Sequence, residues 1–304
     1  MHNDLLNLVT EQRNAKSTHI DQMSTEEIVA LINEEDQTIS AAVRNVLPAI
    51  EEAVGLLVKS IQSGGRVFYL GAGSSGRLGF LDASECPPTF GVDRSLFQVV
   101  LAGGESAMSE AIEGAEDEKL QGHLDLKERQ LTASDAVVGI SASGRTPYVI
   151  GALDYANQIG ARTIAISSNH NAKISRFSDC QIEVVVGPEV ITGSTRMKAG
   201  TAHKMILNML SSTTMIKLGK VYENLMIDVN VSNEKLEERA ISILQRVSGC
   251  DAQQARDALI ASDKSVKTAL VVLKTGVTVE EAKRALDESK GGVKQAISNY
   301  TSRG

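Results

Sequence analysis

The sequence predicts an α/β fold: a doubly wound, mostly parallel five-stranded sheet with helices before it and a small all-α domain after it. Short apolar runs rich in β-branched residues alternate with helix-like segments in the middle of the chain, and helical periodicity fills the first 60 residues. Alternating strands and helices are typical of a parallel sheet covered on both faces. We therefore assign residues 1–56 to an N-terminal helical region, 57–220 to the sheet domain and 235–304 to a C-terminal helical domain.

Five segments have the composition of buried strands, namely 66–70, 96–101, 136–140, 163–166 and 182–186. In open parallel sheets, ligands bind outside the carboxyl ends of the strands. The loops that follow these five segments are therefore where we expect the functional residues.

The two flanking regions also carry local signals. Ser24 and Glu27 form a capping-box pattern ahead of an apolar periodic run, which predicts a helix start. Near the C-terminus, the segment beginning at Gly249 repeats 27 residues later from Gly276. Each copy predicts a pair of helices, so this region resembles ubiquitin-associated-type bundles. We expect a structural, dimer-supporting or interdomain role there rather than ubiquitin binding.

Composition narrows the class of protein. Hydrophobic residues make up 42% and charged residues 23%, as in ordinary globular proteins. We find neither a long apolar span nor a signal-peptide pattern, so we expect a cytoplasmic protein that does not bind membranes. A net charge of −7 disfavours nucleic acid as a partner. The histidines and three cysteines lack metal-ligand spacing, and we expect no metal and no cofactor.

The loop after the first strand has the design of an anion site. It reads GAGSSGRLG from Gly71 to Gly79, with Ser74, Ser75 and Gly76 where a helix would begin. Backbone N–H groups at a helix N-terminus bind phosphate, and serine hydroxyls add donors. The loop also matches a dinucleotide fingerprint, but the acidic residue expected about 20 residues later is missing, which disfavours a nucleotide.

A second loop of similar design follows the third strand. It contains Ser141, Ser143, Gly144 and Thr146, with Pro147 placed to open a helix. A single Ser/Gly turn is often only a turn, whereas two of them at strand ends of one sheet favour phosphate binding. One phosphorylated small molecule is the simplest ligand.

Carboxylates follow the first two strands. Glu85 precedes Pro87 and Pro88, and we expect it to be buried against these prolines, whereas Glu116 lies in an acidic run after the second strand. An isolated glutamate is usually a solvated surface charge. A sugar phosphate, however, needs an acid or a base near its reacting carbons, and a carboxylate pair can divide those roles.

The segment after the fifth strand enters a predicted long helix that ends near Lys217. Glu189, in a Gly-Pro turn, is placed to touch sugar hydroxyls, and Thr192 or Ser194 is the expected N-cap. For Arg196 and Lys198 two interpretations stay open: ordinary helix-surface cations, or contacts with an anionic substrate or a facing subunit.

Taken together, GAGSSGRLG, LDASECPPTF, EGAED, GISASGRTPYV and VGPEVITGSTRMKAGTA resemble the successive signatures of the N-acetylmuramic acid 6-phosphate etherases, in that family's order and spacing. The resemblance covers nearly the whole chain. It implies a sugar isomerase fold, a phosphorylated amino sugar as ligand, and homodimers whose sites lie near the subunit interface.

The resemblance also implies a reaction: cleavage of the D-lactyl ether by water, giving N-acetylglucosamine 6-phosphate and D-lactate in cell-wall sugar recycling. Family correspondence makes Glu85 the acid that protonates departing lactate. It makes Glu116 a base for proton abstraction or water activation. The competing interpretations are a non-catalytic phosphosugar sensor, similar to the glucokinase regulatory protein, and an aldose–ketose phosphosugar isomerase.

Overall fold

The structure of the chain, a computed structural model, describes residues 8–228, 231 and 233–301. It contains two compact units. The first comprises Met1–Ser84 and Ser95–Ser211, and the second comprises Glu85–Arg94 and Ser212–Gly304. The N-terminal helices thus belong to the same compact unit as the sheet, and the three-part division made from the sequence stays a prediction.

The first unit begins with short 3₁₀ turns and three α-helices: α1 (Thr25–Asp36), α2 (Ile39–Asn45) and α3 (Leu47–Gln62). The predicted capping box at the start of α1 is confirmed. The Glu27 amide donates to Ser24 Oγ over 3.3 Å, and the Ser24 amide donates to Glu27 Oε2 over 2.7 Å. Helix α3 buries one apolar stripe, formed by Ile50, Ala53, Val54 and Leu57.

The predicted five-stranded parallel sheet is confirmed, with strand order β2-β1-β3-β4-β5 and every pairing parallel. The strands are β1 (Val67–Gly71), β2 (Phe97–Leu101), β3 (Ala136–Ile140), β4 (Arg162–Ser167) and β5 (Cys180–Glu183). The helices that follow in this part of the chain are α4 (Gly73–Phe90), α5 (Lys119–Glu128), α6 (Pro147–Ile159) and α7 (Lys198–Lys217). Only the last strand differs notably from expectation, ending three residues before position 186.

Glycines in the first loop let α4 approach the sheet closely. A Cβ atom added to Gly76 would lie 2.8 Å from the backbone oxygen of Gly71 in β1, and one added to Gly79 would lie 2.9 Å from Tyr69 Cβ. Real Cβ atoms do not tolerate such contacts. Two glycines of the GAGSSGRLG motif are therefore required by helix–strand packing, independently of any ligand.

The second unit contains a two-stranded antiparallel ladder, β6 (Val221–Tyr222) with β7 (Leu225–Met226), and five helices. The helices are α8 (Glu234–Ser248), α9 (Ala252–Ala261), α10 (Val266–Thr275), α11 (Val279–Glu288) and α12 (Val293–Thr301).

The 27-residue repeat corresponds to the helix pairs α9–α10 and α11–α12. Each pair opens with a capping box, formed by Asp251 with Gln254 in the first copy and by Thr278 with Glu281 in the second. Equivalent repeat positions are buried in one core, as shown by Ala255 and Ala282, Leu259 and Leu286, Val266 and Val293, and Ala269 and Ala296. None of the helices described, in either unit, combines the length and apolar character that crossing a bilayer requires.

Candidate active site

The two Ser/Gly loops leave neighbouring strands of the sheet. Gly71 at the end of β1 is paired with Ile140 at the end of β3, and adjacent strands lie about 5 Å apart. The loops therefore begin side by side at the carboxyl edge. Ser74 and Ser75 are half-buried in the first turn of α4, where backbone N–H groups have no partner within the helix.

The second loop gathers the hydroxyl groups that the sequence singled out. Ser141 Oγ lies 2.8 Å from Thr146 Oγ1 and 3.3 Å from Ser143 Oγ, and it accepts a 3.1 Å hydrogen bond from the Gly144 amide. Ser141 is 3% exposed, so its hydroxyl is held rigidly. Among the described residues, the N–H groups of Ser143 and Thr146 have no acceptor.

Only glycine fits at position 144. Its φ is +69°, in the left-handed region, and an added Cβ would lie 2.5 Å from Ala172 Cβ. The tight turn folds the loop back so that hydroxyl groups and free amides lie together, which is the arrangement that recognises a phosphate.

Glu116 lies on the loop after β2, in a 3₁₀ turn from Ala115 to Asp117, and its side chain is exposed. An interaction that the sequence did not reveal holds this loop. Arg77, on α4, donates to the backbone carbonyls of Ala107 (3.0 Å) and Glu110 (2.8 Å). The arginine in the glycine-rich motif thus anchors the acidic loop. Its position in the sequence carried no signal of this, because its acceptors are backbone atoms about 30 residues away.

Glu85 lies on α4, twelve residues after the helix begins, and the predicted burial against the prolines is wrong for the single chain. The side chain is exposed, on the same helix face as Phe80 and Leu81, which are 45% and 49% exposed. Pro87 and Pro88 lie inside the last turns of the helix rather than in a turn. The exposed face of α4 thus combines apolar side chains with the proposed acid.

The carboxylate of Glu189 lies at the N-terminus of α7, where it binds the first backbone amides of the helix. Its side chain is 1% exposed, and its two oxygens accept hydrogen bonds from the amides of Lys198 (3.0 Å) and Ala199 (2.9 Å). Burial raises the pKa of this carboxyl group, and the two amide bonds oppose that shift. Since α7 begins at Lys198, the N-cap expected at Thr192 or Ser194 is wrong. Contact of Glu189 with sugar hydroxyls stays a prediction.

Lys198 is not a surface cation, and its ammonium group is bound by a carboxylate of the same chain rather than offered to a substrate or a facing subunit. Its side chain is 2% exposed, and Nζ lies 2.6 Å from Glu35 Oε2 on α1. Glu35 also accepts a 2.8 Å hydrogen bond from Asn14 Nδ2 and pairs with Lys16. Burial raises the pKa of Glu35, but its hydrogen bonds, foremost that from Lys198, lower it by more. Arg196, by contrast, is exposed.

In the described ranges, no group of three or more His, Cys, Asp or Glu side chains is arranged to hold a metal ion. His2 lies outside the described residues.

The five-stranded parallel sheet and the match to the SIS domain profile define this chain as a protein of the SIS, or sugar isomerase, class. The SIS domain profile matches residues 122–212. The profile of the glucokinase regulatory protein N-terminal SIS domain matches residues 49–157, and that of the same protein's C-terminal lid domain matches residues 223–264.

Full-length relatives specify the family. The chain is 53% identical to N-acetylmuramic acid 6-phosphate etherase 1 of Bacillus licheniformis, over 96% of both chains. It is 53% identical to the Bacillus pumilus etherase over 98% of both chains, and 51% identical to an Escherichia coli etherase over 95% of this chain and 97% of that one. The chain belongs to the N-acetylmuramic acid 6-phosphate etherase family.

Similar solved structures include two phosphoheptose isomerases. A phosphoheptose isomerase from Francisella tularensis has a TM-score of 0.47 and 18% identity, covering 64% of this chain and 100% of that one. A phosphoheptose isomerase from Neisseria gonorrhoeae has a TM-score of 0.46 and 20% identity, covering 62% of this chain and 98% of that one.

Proposed function

We propose that this chain is an N-acetylmuramic acid 6-phosphate etherase, which cleaves the D-lactyl ether of its substrate with water to give N-acetylglucosamine 6-phosphate and D-lactate. The observation that carries the proposal is the identity to named etherases over nearly the whole length of both chains. The loop geometry supports it, because two neighbouring strand ends offer hydroxyl groups and free amides to a phosphate. We propose that the enzyme acts in cell-wall amino sugar recycling, in the cytoplasm.

In the proposed site, one set of residues binds the 6-phosphate and another set carries out the chemistry at the sugar carbons. Ser74, Ser75 and Gly76 of the first loop, with the hydroxyl groups of the second, hold the 6-phosphate. Charge-assisted hydrogen bonds to phosphate oxygens are stronger than those between neutral groups. Anchoring the phosphate fixes the position of the sugar carbons relative to the carboxylates.

The chemistry is an elimination followed by a hydration. In the open-chain sugar the proton on C2 is acidic, because it lies α to the C1 aldehyde. A base removes that proton, the C2–H electron pair forms the C2–C3 double bond, and the C3–O bond breaks. Glu85 supplies the proton to the departing lactate oxygen. Water then adds its hydroxyl to C3 and a proton returns to C2, so the sequence needs neither oxidant nor reductant.

Glu116 serves as the base in this scheme, for abstraction of the C2 proton, for water activation, or for both. Its loop is anchored by Arg77 to the helix whose first turn begins the phosphate site. A general base has to come within hydrogen-bond reach of the proton it removes, and we propose that the anchored loop brings Glu116 within that reach of the bound sugar.

We further propose that the active unit is a homodimer with its sites near the subunit interface. Glu85 lies ten residues after Ser75 on α4, which corresponds to about 15 Å along the helix axis. That span is longer than the part of a hexose phosphate between its phosphorus atom and C3. The exposed face of α4, with Phe80 and Leu81, would then place Glu85 in the site of the partner subunit.

Hybrid dimers test this arrangement. At a substrate concentration well below the parent KM, dimers of Glu85→Gln and dimers of Ser141→Ala are each expected to release lactate much more slowly than the parent. If Glu85 serves the partner's site, mixing and exchanging the two variants restores one intact site in each hybrid, and lactate release recovers. No recovery, in hybrids whose formation mass spectrometry confirms, would show that Glu85 and Ser141 act within one chain.

A phosphosugar sensor is the second candidate, favoured by the two matches to glucokinase regulatory protein domains. Purified protein incubated with N-acetylmuramic acid 6-phosphate separates the possibilities. An etherase releases D-lactate, a sensor binds the phosphosugar without releasing lactate, and an isomerase interconverts aldose and ketose phosphates. Binding without lactate release would refute the proposed activity.

A further inference from the structure

Asn169, which follows β4, uses its whole side-chain amide to join two separate segments of the first unit. Its Nδ2 donates to the carbonyl oxygens of Ala142 (3.1 Å) and Ser143 (3.3 Å) and to Thr10 Oγ1 (3.0 Å). Its Oδ1 accepts from the amides of Val9 (2.7 Å) and Thr10 (3.4 Å). Asn169 is 2% exposed, so solvent does not compete for these bonds.

The bonds to Ala142 and Ser143 determine how the second loop faces its ligand. The C=O of one residue and the N–H of the next belong to the same planar peptide group and point in opposite directions. The Ala142 carbonyl is held from one side by Asn169 and by the Ser168 amide (3.0 Å). The N–H of Ser143 is thereby directed away from Asn169, and it has no acceptor among the described residues.

The other segment, residues 8–17, we call the strap. It consists of short 3₁₀ turns, and three of its polar residues, Thr10, Asn14 and Ser17, are more than nine-tenths buried. Besides the contact of Thr10 with Asn169, Asn14 donates to the Pro188 carbonyl over 3.2 Å, in the loop after β5. The strap therefore bridges the loops that follow β4 and β5, and polar side chains make its anchoring contacts.

We infer that Asn169 is a positioning residue for the second loop, residues 141–146, which we call the phosphate loop. We infer also that the strap, which Asn169 ties to that loop, belongs to the framework of the site. This inference rests on the proposed phosphate-binding role of the loop. Asn169 fixes the peptide planes of Ala142 and Ser143, and the strap fixes Asn169 in turn. Loss of either should weaken binding of the phosphate without altering the carboxylate chemistry.

Three variants test the inference, with inorganic phosphate as the calorimetric probe and lactate release as the kinetic one. Asn169→Asp keeps the shape of the side chain but removes the donor to Ala142 and Ser143. It should raise the phosphate Kd and the substrate KM together by about ten-fold, with kcat little changed. Thr10→Val should raise both by about three-fold, because it removes one acceptor from the same network.

Asp135→Asn is the matched control. Asp135 is 1% exposed and precedes the amino end of β3, where it accepts hydrogen bonds from the amides of Arg66 and Thr132. It lies at the opposite end of the strand that leads into the phosphate loop. This variant should lower the thermal midpoint while leaving the phosphate Kd at the parent value, which separates positioning from general destabilisation.

Parent-like phosphate affinity and KM in folded Asn169→Asp would overturn the inference. If that variant does not fold, Thr10→Val decides, and an unchanged Kd there overturns the inference equally. A raised Kd in Asp135→Asn would show that loss of stability alone explains the effect. If the parent protein itself bound no phosphate, the proposed role of the loop would fail first.

Discussion

Replacing Gly144 by Ala should impair the phosphate loop far more than the same change at another glycine of similar conformation. Gly144 has φ +69° and Gly64 has φ +80°, so alanine is strained at both positions. The surroundings differ. A Cβ at Gly144 would lie 2.5 Å from Ala172 Cβ and 3.2 Å from Ser167 Cβ, whereas at Gly64 nothing lies within 4 Å.

Backbone strain and steric overlap contribute separately to the loss of stability. Left-handed backbone costs an L-residue about 1–2 kcal/mol, and this cost applies to both variants. Overpacking adds about 1–3 kcal/mol at position 144 only. We therefore expect Gly64→Ala to lower the free energy of unfolding by about 1–2 kcal/mol and Gly144→Ala by about 2–5 kcal/mol. The Cβ atoms of Ala172 and Ser167 are bonded directly to the backbone, so rotation of a side chain cannot move them away.

Urea unfolding at pH 7 measures these differences, and calorimetry with inorganic phosphate measures the consequence for the site. Gly144→Ala should weaken phosphate binding, because the loop has to move to relieve the contact with Ala172. Gly64→Ala should bind phosphate like the parent protein. Equal losses of stability in the two variants, or parent-like phosphate affinity in Gly144→Ala, would refute the steric reasoning.

Four further variants each change a single side chain. Ser141→Ala should weaken phosphosugar binding by about ten-fold to a hundred-fold, since a charge-assisted hydrogen bond contributes roughly 1.5–3 kcal/mol; titration calorimetry measures the change, and unchanged affinity would contradict the assignment. Glu85→Gln should reduce lactate release by roughly 10²–10⁴-fold yet still exchange the C2 proton with deuterated water, whereas Glu116→Gln should depress exchange, water addition or both, as NMR would show. Lys198→Met should cost about 3 kcal/mol at pH 7, because it leaves a buried carboxylate without its main partner. Since the folded state holds the pKa of Glu35 below its usual 4.5, that contribution is present above this value and lost as the pH falls through the lowered pKa. The difference in urea unfolding between parent and Lys198→Met should therefore shrink below about pH 4.5, and a difference independent of pH would count against the pair.

Local sequence patterns predicted much of the fold, because the interactions that specify those elements lie within a few residues. The Ser24–Glu27 capping box needs only one helical turn. The 27-residue repeat could be found by aligning the chain with itself, and each copy opens with its own capping box. The strand ends were predicted to within one or two residues where glycine or a polar loop follows, and less well at β5, where the apolar run continues beyond Glu183.

The exposure of Glu85 on α4 shows where reasoning from local sequence fails. The local neighbourhood of Glu85, with two prolines and a phenylalanine close by, suggested burial. Exposure is set by which helix face the rest of the chain covers, and the face of Glu85, Phe80 and Leu81 is not covered in the single chain. Pro87 and Pro88 have no N–H group to donate to the preceding turn, yet the helix continues through them, and the Gly91 amide donates to the Pro87 carbonyl over 2.9 Å.

The sequence by itself predicted the class of ligand, because serine hydroxyls and glycine turns at two strand ends indicate a phosphate site. The structure shows that these two strands are adjacent. Only the tertiary structure decided which polar side chains hold the framework. Lys198 with Glu35, Arg77 with the carbonyls of Ala107 and Glu110, and Asn169 with residues 9, 10, 142 and 143 join positions far apart in the chain. A buried polar group needs a hydrogen-bond partner, and the fold can supply that partner from any part of the chain. No fixed spacing in the sequence therefore identifies it.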